Sequence, residues 1–216
     1  MKTNSLQNDD CIYIVLVKAL TGLGTFARNL SGYEYTHIAV CLNERMDDFI
    51  TFSRRKHYSP FNAGFMHETL DCYAFGNRER VKLKIFKVPT DLKSKSDICQ
   101  FIDKISADEE YVFNLYSMAS MPLLHGFEIY KTYNCMSFTS KIIELSKSVP
   151  MTKKYYQYNI KEIDMLLSEY FYKEEYFYKS RVENAGYMDK IGILKNIGLF
   201  FKINGKLLYR MIAKRG

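Results

Sequence analysis

Residues 134–146, NCMSFTSKIIELS, predict the helix around which the rest of the domain is arranged. Apolar side chains recur in this stretch at helical spacing, so the helix would bury Phe138, Ile142, Ile143 and Leu145. Cys135 stands at the start of this helix, directly after a turn formed by residues 131–134. The pattern therefore predicts a buried helix that presents a cysteine at its N-terminus.

Segments typical of β-strands precede this helix in the chain. Residues 11–17 (CIYIVLV) form a short apolar run rich in β-branched side chains, and residues 80–88 (RVKLKIFKV) alternate between apolar and charged side chains. Residues 36–42 (THIAVCL) and 48–53 (DFITFS) flank a polar turn, which is typical of a hairpin. The sequence thus predicts an α+β fold in which an antiparallel sheet packs against the helix that carries Cys135.

The composition is that of a globular protein without a membrane-spanning segment. Of the 216 residues, 47% are apolar and 25% are charged. No uncharged apolar run reaches the roughly 18 residues of a spanning helix. The N-terminal residues are polar and lack the apolar core of a signal peptide, so we expect a cytoplasmic protein. The five cysteines are odd in number and widely spaced, which favours free thiols over a disulfide framework.

The motifs predict neither a cofactor nor a metal. The sequence has no phosphate-binding GxxxxGK[ST] motif and no dinucleotide-binding GxGxxG motif. A zinc site needs about four convergent ligands. The pair of His37 with Cys41 and the pair of His67 with Cys72 do not form such a set.

Cys135 and His37 are of the residue types that carry out nucleophilic catalysis. A helix N-terminus offers unpaired N–H groups and the positive end of the helix dipole, and both favour a thiolate at Cys135. An imidazole beside the thiol can form an ion pair with it and act as general base and acid. The first-turn N–H groups can also hold an oxyanion. The alternative is a buried structural cysteine and a histidine that merely begins a strand.

Four stretches carry a resemblance to a known family: YTHIAVCLNE (residues 35–44), FITFSRR (49–55), FNAGFMHE (61–68) and YNCMSFTSKIIEL (133–145). Together they resemble the circularly permuted branch of the NlpC-type papain-like cysteine hydrolases. In that branch the strand with the catalytic histidine precedes the helix with the catalytic cysteine. Lecithin–retinol acyltransferase-like enzymes share this order. The resemblance covers residues 11–145 and implies a papain-like fold.

By this resemblance His37 matches the base and Cys135 matches the nucleophile. The family's third polar residue orients the imidazole from the strand after the histidine strand, and the matching position here falls near Thr51. A threonine hydroxyl carries no charge and is a poor orienting group. Ser53 lies two residues further on the same strand face, and Glu68 is a charged alternative after the following loop. The sequence does not choose among these three, because the arrangement is geometric.

The resemblance implies a cysteine hydrolase or acyltransferase. A thiolate of this kind attacks an amide, ester or thioester carbonyl, and the acyl group then passes to water or to another acceptor. The substrate would be a peptide or a lipid acyl group, and the missing export signal disfavours a cell-wall peptide. The rival prediction is a catalytically silent papain-like module that binds a partner or a membrane surface. A weak third residue such as Thr51 favours this rival.

The positive charge of the chain is concentrated near its C-terminal end. Residues 186–216 hold seven basic residues against one aspartate, and so carry six of the seven net positive charges. We therefore divide the chain into a permuted papain-like domain, residues 1–185, and a basic amphipathic segment, residues 186–216. The body is almost neutral and has no aromatic-and-basic RNA-binding motif, so we expect no nucleic-acid partner.

Residues 191–216 predict a basic amphipathic helix. Its apolar side would carry Leu194, Ile197, Phe201, Leu208 and Ile212, and its opposite side Lys195, Lys202, Lys206 and Arg210. Such a helix suits an anionic membrane surface, to which the protein would bind peripherally. In the alternative arrangement, the apolar stripe packs on the body and the lysines face solvent.

Overall fold

The structure is a computed structural model that describes residues 11–18, 28, 32–74, 80–179 and 185–213. Its strands are β1 Cys11–Val17, β2 His37–Cys41, β3 Phe49–Arg54, β4 Ala63–Glu68, β5 Arg80–Pro89, β6 Val112–Phe113, β7 Thr132–Tyr133 and β8 Phe171–Tyr178. Its α-helices are α1 Leu92–Ser106, α2 Leu115–Leu124, α3 Cys135–Ser146, α4 Ile160–Leu166, α5 Ala185–Met188 and α6 Ile193–Ala213. Short 3₁₀ turns occupy Leu70–Cys72, Tyr155–Gln157 and Ser168–Tyr170.

Six of the strands form one sheet in the order β4-β3-β2-β1-β5-β8. All neighbouring strands in this sheet run antiparallel. The fold is therefore α+β with an antiparallel sheet, as the sequence predicts, and β2 and β3 pair as expected for the hairpin. The remaining strands, β6 and β7, form a separate parallel pair.

The central strand β1 contributes to a core on each face of the sheet, because alternate side chains of a strand point to opposite faces. The first core lies between the sheet and helices α1 and α3, and takes Ile12, Ile14 and Leu16 from β1. The second core takes Tyr13, Val15 and Val17 and is covered by Cys72, Tyr73 and Tyr187. Since both faces are covered, every residue of β1 is buried, which explains why its sequence is continuously apolar.

Helix α3 packs on β2 and β3 from the side of the first core. Phe138 is fully buried there, and its ring centroid lies 5.2 Å from that of Phe52 on β3. Ile142 and Ile143, one turn further along the helix, are fully buried as well. The sheet and the cysteine-bearing helix therefore pack against each other as the sequence predicts.

The C-terminal helix α6 docks on the body through Ile203, Leu207 and Arg210, all of which are buried. The Arg210 side chain is only 3% exposed. Its guanidinium donates hydrogen bonds to the carbonyl oxygens of Tyr130 at 3.2 Å, Lys131 at 3.0 Å and Glu110 at 2.9 Å. A further bond of 3.3 Å reaches the Glu110 carboxylate. Arg210 thus joins the two chain segments that enter the parallel strands β6 and β7.

The helix turns a different face to the body than the sequence suggests. Arg210 was expected on the solvent side and is instead buried, because it caps the carbonyl oxygens in front of β6 and β7. The alternative arrangement, in which the apolar stripe packs on the body, is not found, since Leu194 is 85%, Phe201 68% and Ile212 77% exposed. Among the helices of the described residues, none is both long and apolar enough to cross a bilayer.

Candidate active site

Cys135 is the first residue of α3, and its neighbour Asn134 fixes where that helix begins. The Asn134 side chain accepts a hydrogen bond of 2.9 Å from the Ser137 N–H, and the Ser137 hydroxyl accepts one of 3.0 Å from the Asn134 N–H. This reciprocal pair is a capping box, which satisfies two N–H groups at the start of the helix. Cys135 therefore lies in the first turn, where the helix dipole favours an anion.

His37 lies beside Cys135 because strand β2 begins where helix α3 begins. The two side chains are joined by a hydrogen bond. The sulfur belongs to a buried residue of the first core, whereas His37 starts β2 on the face of the second core. The predicted cysteine and histidine, which are 98 positions apart in the sequence, are thus in direct contact in the fold.

Glu68 is the third member of this constellation. It is the last residue of β4, and its Oε2 lies 2.8 Å from Nε2 of His37. The carboxylate is only 2% exposed, so this contact is shielded from solvent. The same imidazole is hydrogen-bonded to the Cys135 side chain. The imidazole therefore lies between a thiol on one side and a carboxylate on the other.

Thr51 and Ser53, the other two candidates for the third position, have different partners. The Thr51 hydroxyl donates a 2.9 Å hydrogen bond to the carbonyl oxygen of Ile38, and so helps to join β3 to β2. The Ser53 hydroxyl bonds to the Glu68 carboxylate instead. Of the three candidates, Glu68 is the one whose hydrogen bond to the His37 ring is described.

Tyr73 belongs to the site although the sequence did not point to it. Its hydroxyl donates a 2.6 Å hydrogen bond to Oε2 of Glu68, the same oxygen that contacts His37. The centroids of the Tyr73 and His37 rings are 5.6 Å apart. Burial and the charge of Glu68 raise the pKa of Tyr73 well above its usual range, so its hydroxyl keeps the proton that it donates. One tyrosine among 18 offers no sequence signal for this role.

Opposite charges hold His37 and Glu68 in their ionised forms. Burial acts to lower the pKa of His37, but the charge of Glu68 and the hydrogen bonds of the ring with Cys135 and Glu68 outweigh it and raise that pKa to about 10. Burial acts to raise the pKa of Glu68, but the charge of His37 and the hydrogen bonds from His37, Tyr73 and Ser53 outweigh it and lower that pKa. At neutral pH the site therefore contains an imidazolium–carboxylate pair.

These two shifts also define the pH range over which the pair stabilises the fold. The contribution of His37 is fully present below its ordinary pKa of 6.5 and is lost as the pH rises through about 10. The contribution of Glu68 is fully present above its ordinary pKa of 4.5 and is lost as the pH falls through its lowered value. The pair thus supports the fold across the neutral range.

The remaining cysteines lie in different surroundings. All five cysteines are free thiols. Burial raises the pKa of the Cys41 thiol, and it raises that of Cys72 to about 11. Both thiols are therefore protonated at neutral pH. Cys99, on α1, is partly exposed and serves as a reference for an accessible thiol.

Within the described parts of the chain, no group of three His, Cys, Asp or Glu side chains is arranged to hold a metal ion. Comparison with protein-family models, curated proteins and solved structures finds no match for this chain. The function therefore has to be argued from the geometry of the site alone.

Replacing Glu68 with glutamine is expected to lower the pKa of His37 from about 10 to near or below its ordinary 6.5. The substitution removes the charge that opposes the effect of burial, whereas the glutamine keeps the size of the side chain. An NMR titration of the His37 ring protons in both proteins measures the change. A wild-type His37 that titrates below 6.5 would contradict the ion pair.

Proposed function

We propose that this chain is a cysteine hydrolase or acyltransferase that acts on an amide or ester bond. The observation that carries the proposal is the continuous contact from Cys135 through His37 to Glu68. These residues come from a helix, a strand and a second strand, so their contact is not a consequence of sequence proximity. A thiol, an imidazole and an orienting carboxylate in this order are the parts that nucleophilic acyl transfer requires.

The proposed reaction has two steps. In the first, the Cys135 thiolate attacks the carbonyl carbon and forms a C–S bond, while His37 gives its proton to the departing amine or alcohol as the C–N or C–O bond breaks. In the second, water or another acceptor attacks the thioester, His37 removes a proton from that nucleophile, and the thiolate leaves. Glu68 stabilises the imidazolium in the states where His37 holds the proton.

The N-terminus of α3 would stabilise the oxyanion that forms in both steps. The first N–H groups of a helix have no partner within the helix, and those of Cys135 and Met136 belong to this set. They lie next to the sulfur that attacks the carbonyl, which is where negative charge develops on the carbonyl oxygen. The capping box engages the N–H of Ser137 and leaves these two for the substrate.

The papain-like fold with a permuted order is part of the same proposal. The antiparallel sheet, the helix that begins with Cys135 and the histidine strand that precedes it in sequence support it. The rival is a catalytically silent papain-like module that binds a partner or a membrane surface, and Thr51 as third residue favours it slightly. Glu68 supplies His37 with a charged partner, which supports the enzyme over that rival.

Trapping of an acyl-enzyme tests this proposal directly. p-Nitrophenyl esters with acyl chains from acetyl to palmitoyl, together with peptide p-nitroanilides, cover the lipid and peptide classes of substrate. Intact-mass spectrometry is expected to show one acyl adduct that maps to Cys135, together with p-nitrophenolate or p-nitroaniline release. If an added amine or alcohol accelerates the release of p-nitrophenolate or p-nitroaniline, the enzyme transfers the acyl group to that acceptor. If the additive has no effect on the release, the acyl group passes to water.

The matched controls for this experiment are Cys135→Ala and Cys99→Ala. The first is expected to lose both the adduct and the product release, and the second to retain them. Release that continues at the wild-type rate in Cys135→Ala would show that the chemistry does not pass through this thiol. The proposal would then have to be abandoned.

A further inference from the structure

The outward face of α6 is a continuous apolar stripe that the fold leaves uncovered. Seven side chains on this face are at least one-third exposed: Ile193, Leu194, Ile197, Phe201, Leu208, Met211 and Ile212. They recur at the three- and four-residue spacing of one helical face over the length of the helix. Isolated exposed apolar residues are ordinary, but a contiguous stripe of this kind marks an interaction surface. We call these seven residues the α6 stripe.

The helix cannot turn the α6 stripe inward, because its opposite face is already fixed to the body. Ile203 and Leu207 belong to the first core, and Arg210 holds three carbonyl oxygens. Asn204 accepts a 2.8 Å hydrogen bond from the Tyr116 hydroxyl on α2. The exposure of the stripe is therefore built into the docking of the helix.

Basic side chains and further apolar side chains surround the stripe. Lys195 and Lys202 are exposed on the other side of the helix, and their long side chains can reach around it toward the level of the stripe. The neighbouring helix α2, tied to α6 through Tyr116, exposes Leu123 and Leu124 near its C-terminal end. Tyr209 is also exposed, and tyrosine is a residue type favoured at membrane–water interfaces. An apolar band edged by lysines and an aromatic ring matches the layers of an anionic bilayer surface.

We propose that α6 lies flat on an anionic lipid bilayer, with the α6 stripe in the acyl–headgroup boundary and with Lys195 and Lys202 at the phosphate level. The charge distribution selects this partner, because residues 186–216 carry six of the seven net positive charges of the chain. A second copy of this segment carries the same positive charge and so offers no complementary charge to these lysines. This inference does not depend on the proposed function of Cys135.

Vesicle co-sedimentation of the full chain tests the proposal. Vesicles of phosphatidylcholine alone are compared with vesicles of phosphatidylcholine mixed with phosphatidylglycerol. We expect binding to the mixed vesicles, and the double variant Lys195→Gln/Lys202→Gln to weaken it roughly 30-fold, because each lysine near an anionic surface contributes about fivefold. The double variant Phe201→Ser/Leu208→Ser is expected to weaken binding about 100-fold, because it removes two buried apolar side chains.

The matched control is the double variant Leu92→Ser/Met165→Ser, which replaces two exposed apolar residues outside α6 that are 63% and 68% exposed in the wild type. It is expected to bind as the wild type does, and so is Cys135→Ala, which separates this proposal from the catalytic one. Equal binding to both kinds of vesicle, or no effect of the α6 variants, would overturn the proposal.

Size-exclusion chromatography with light scattering provides a second readout. A dimer that dissociates in Phe201→Ser/Leu208→Ser, without vesicle binding by the wild type, would assign the stripe to self-association instead.

Discussion

Replacing His37 with alanine is expected to slow the alkylation of Cys135 by iodoacetamide about 30-fold at neutral pH, because an unpaired thiol is only a few per cent ionised there. In the wild type, the charged His37 ring and the first turn of α3 lie next to the sulfur, and the substitution removes the first of these. The rate at each cysteine is read by peptide mass spectrometry over a series of times. In the wild type Cys135 should react before Cys99, although Cys99 is the more accessible of the two.

The other cysteines are built-in controls for this measurement. Cys41 and Cys72 are buried and protonated, so they should stay unlabelled in both proteins until the fold is disrupted. The Cys99 rate should be the same in the wild type and in His37→Ala, which shows that the substitution did not open the structure. If Cys135 reacts at the same rate in both proteins, His37 does not activate it and the enzyme proposal fails.

Replacing Arg210 with methionine is expected to lower the free energy of unfolding by about 3 kcal/mol, because charged hydrogen bonds to three carbonyl oxygens disappear. Methionine keeps most of the apolar packing of the side chain, so the change reports mainly on the lost donors. For a protein of this size the melting temperature should fall by about 10 °C. Differential scanning calorimetry and urea unfolding measure the two quantities.

The matched control for this change is Lys202→Met on the same helix. It removes the same positive charge from an exposed position and should change the free energy of unfolding by less than about 0.5 kcal/mol. A similar loss in the two variants would mean that the charge of α6, and not the buried guanidinium, stabilises the fold. If Arg210→Met melts at the same temperature as the wild type, the helix is not held to the body through this residue.

The elements with regular hydrophobic patterns could be predicted from the sequence. The apolar run of β1, the alternation of β5 and the helical spacing of α3 each reflect a single dominant constraint, namely which faces are buried. Cys135 was recognisable because it precedes a strongly patterned helix. His37 was recognisable because it opens a strand whose pattern is equally clear.

Elements whose placement depends on distant contacts were missed. Strand β8 has the sequence FYKEEYFY, and as an exposed edge strand its aromatic and charged residues show little hydrophobic contrast. Strand β4 begins with the small residues Ala63 and Gly64, which carry no strand signal. The burial of Arg210 depends on carbonyl oxygens about 80 and 100 positions earlier in the chain, which no local pattern reveals.

The third residue of the site shows why motif spacing was insufficient. The resemblance places the residue that orients the imidazole on the strand after the His37 strand, near Thr51. Glu68 instead lies on β4, two strands away from β2. Strands that are two positions apart in a sheet are separated by about 9.5 Å. A glutamate and a histidine side chain together can span this distance. His37 begins β2 and Glu68 ends β4, and these two strands run in the same direction, so their contact does not follow from their places in the strands.

Because Arg210 lies late in the sequence, it affects the order in which parts of the fold form during synthesis. Synthesis has to continue 75 residues beyond Cys135 before the side chain that caps the Tyr130 and Lys131 carbonyl oxygens exists. Until then the segment that leads into Cys135 has exposed backbone acceptors and an incompletely supported parallel strand pair. A nascent chain would therefore complete the support of the segment before Cys135 late, after nearly all of the described protein has been translated.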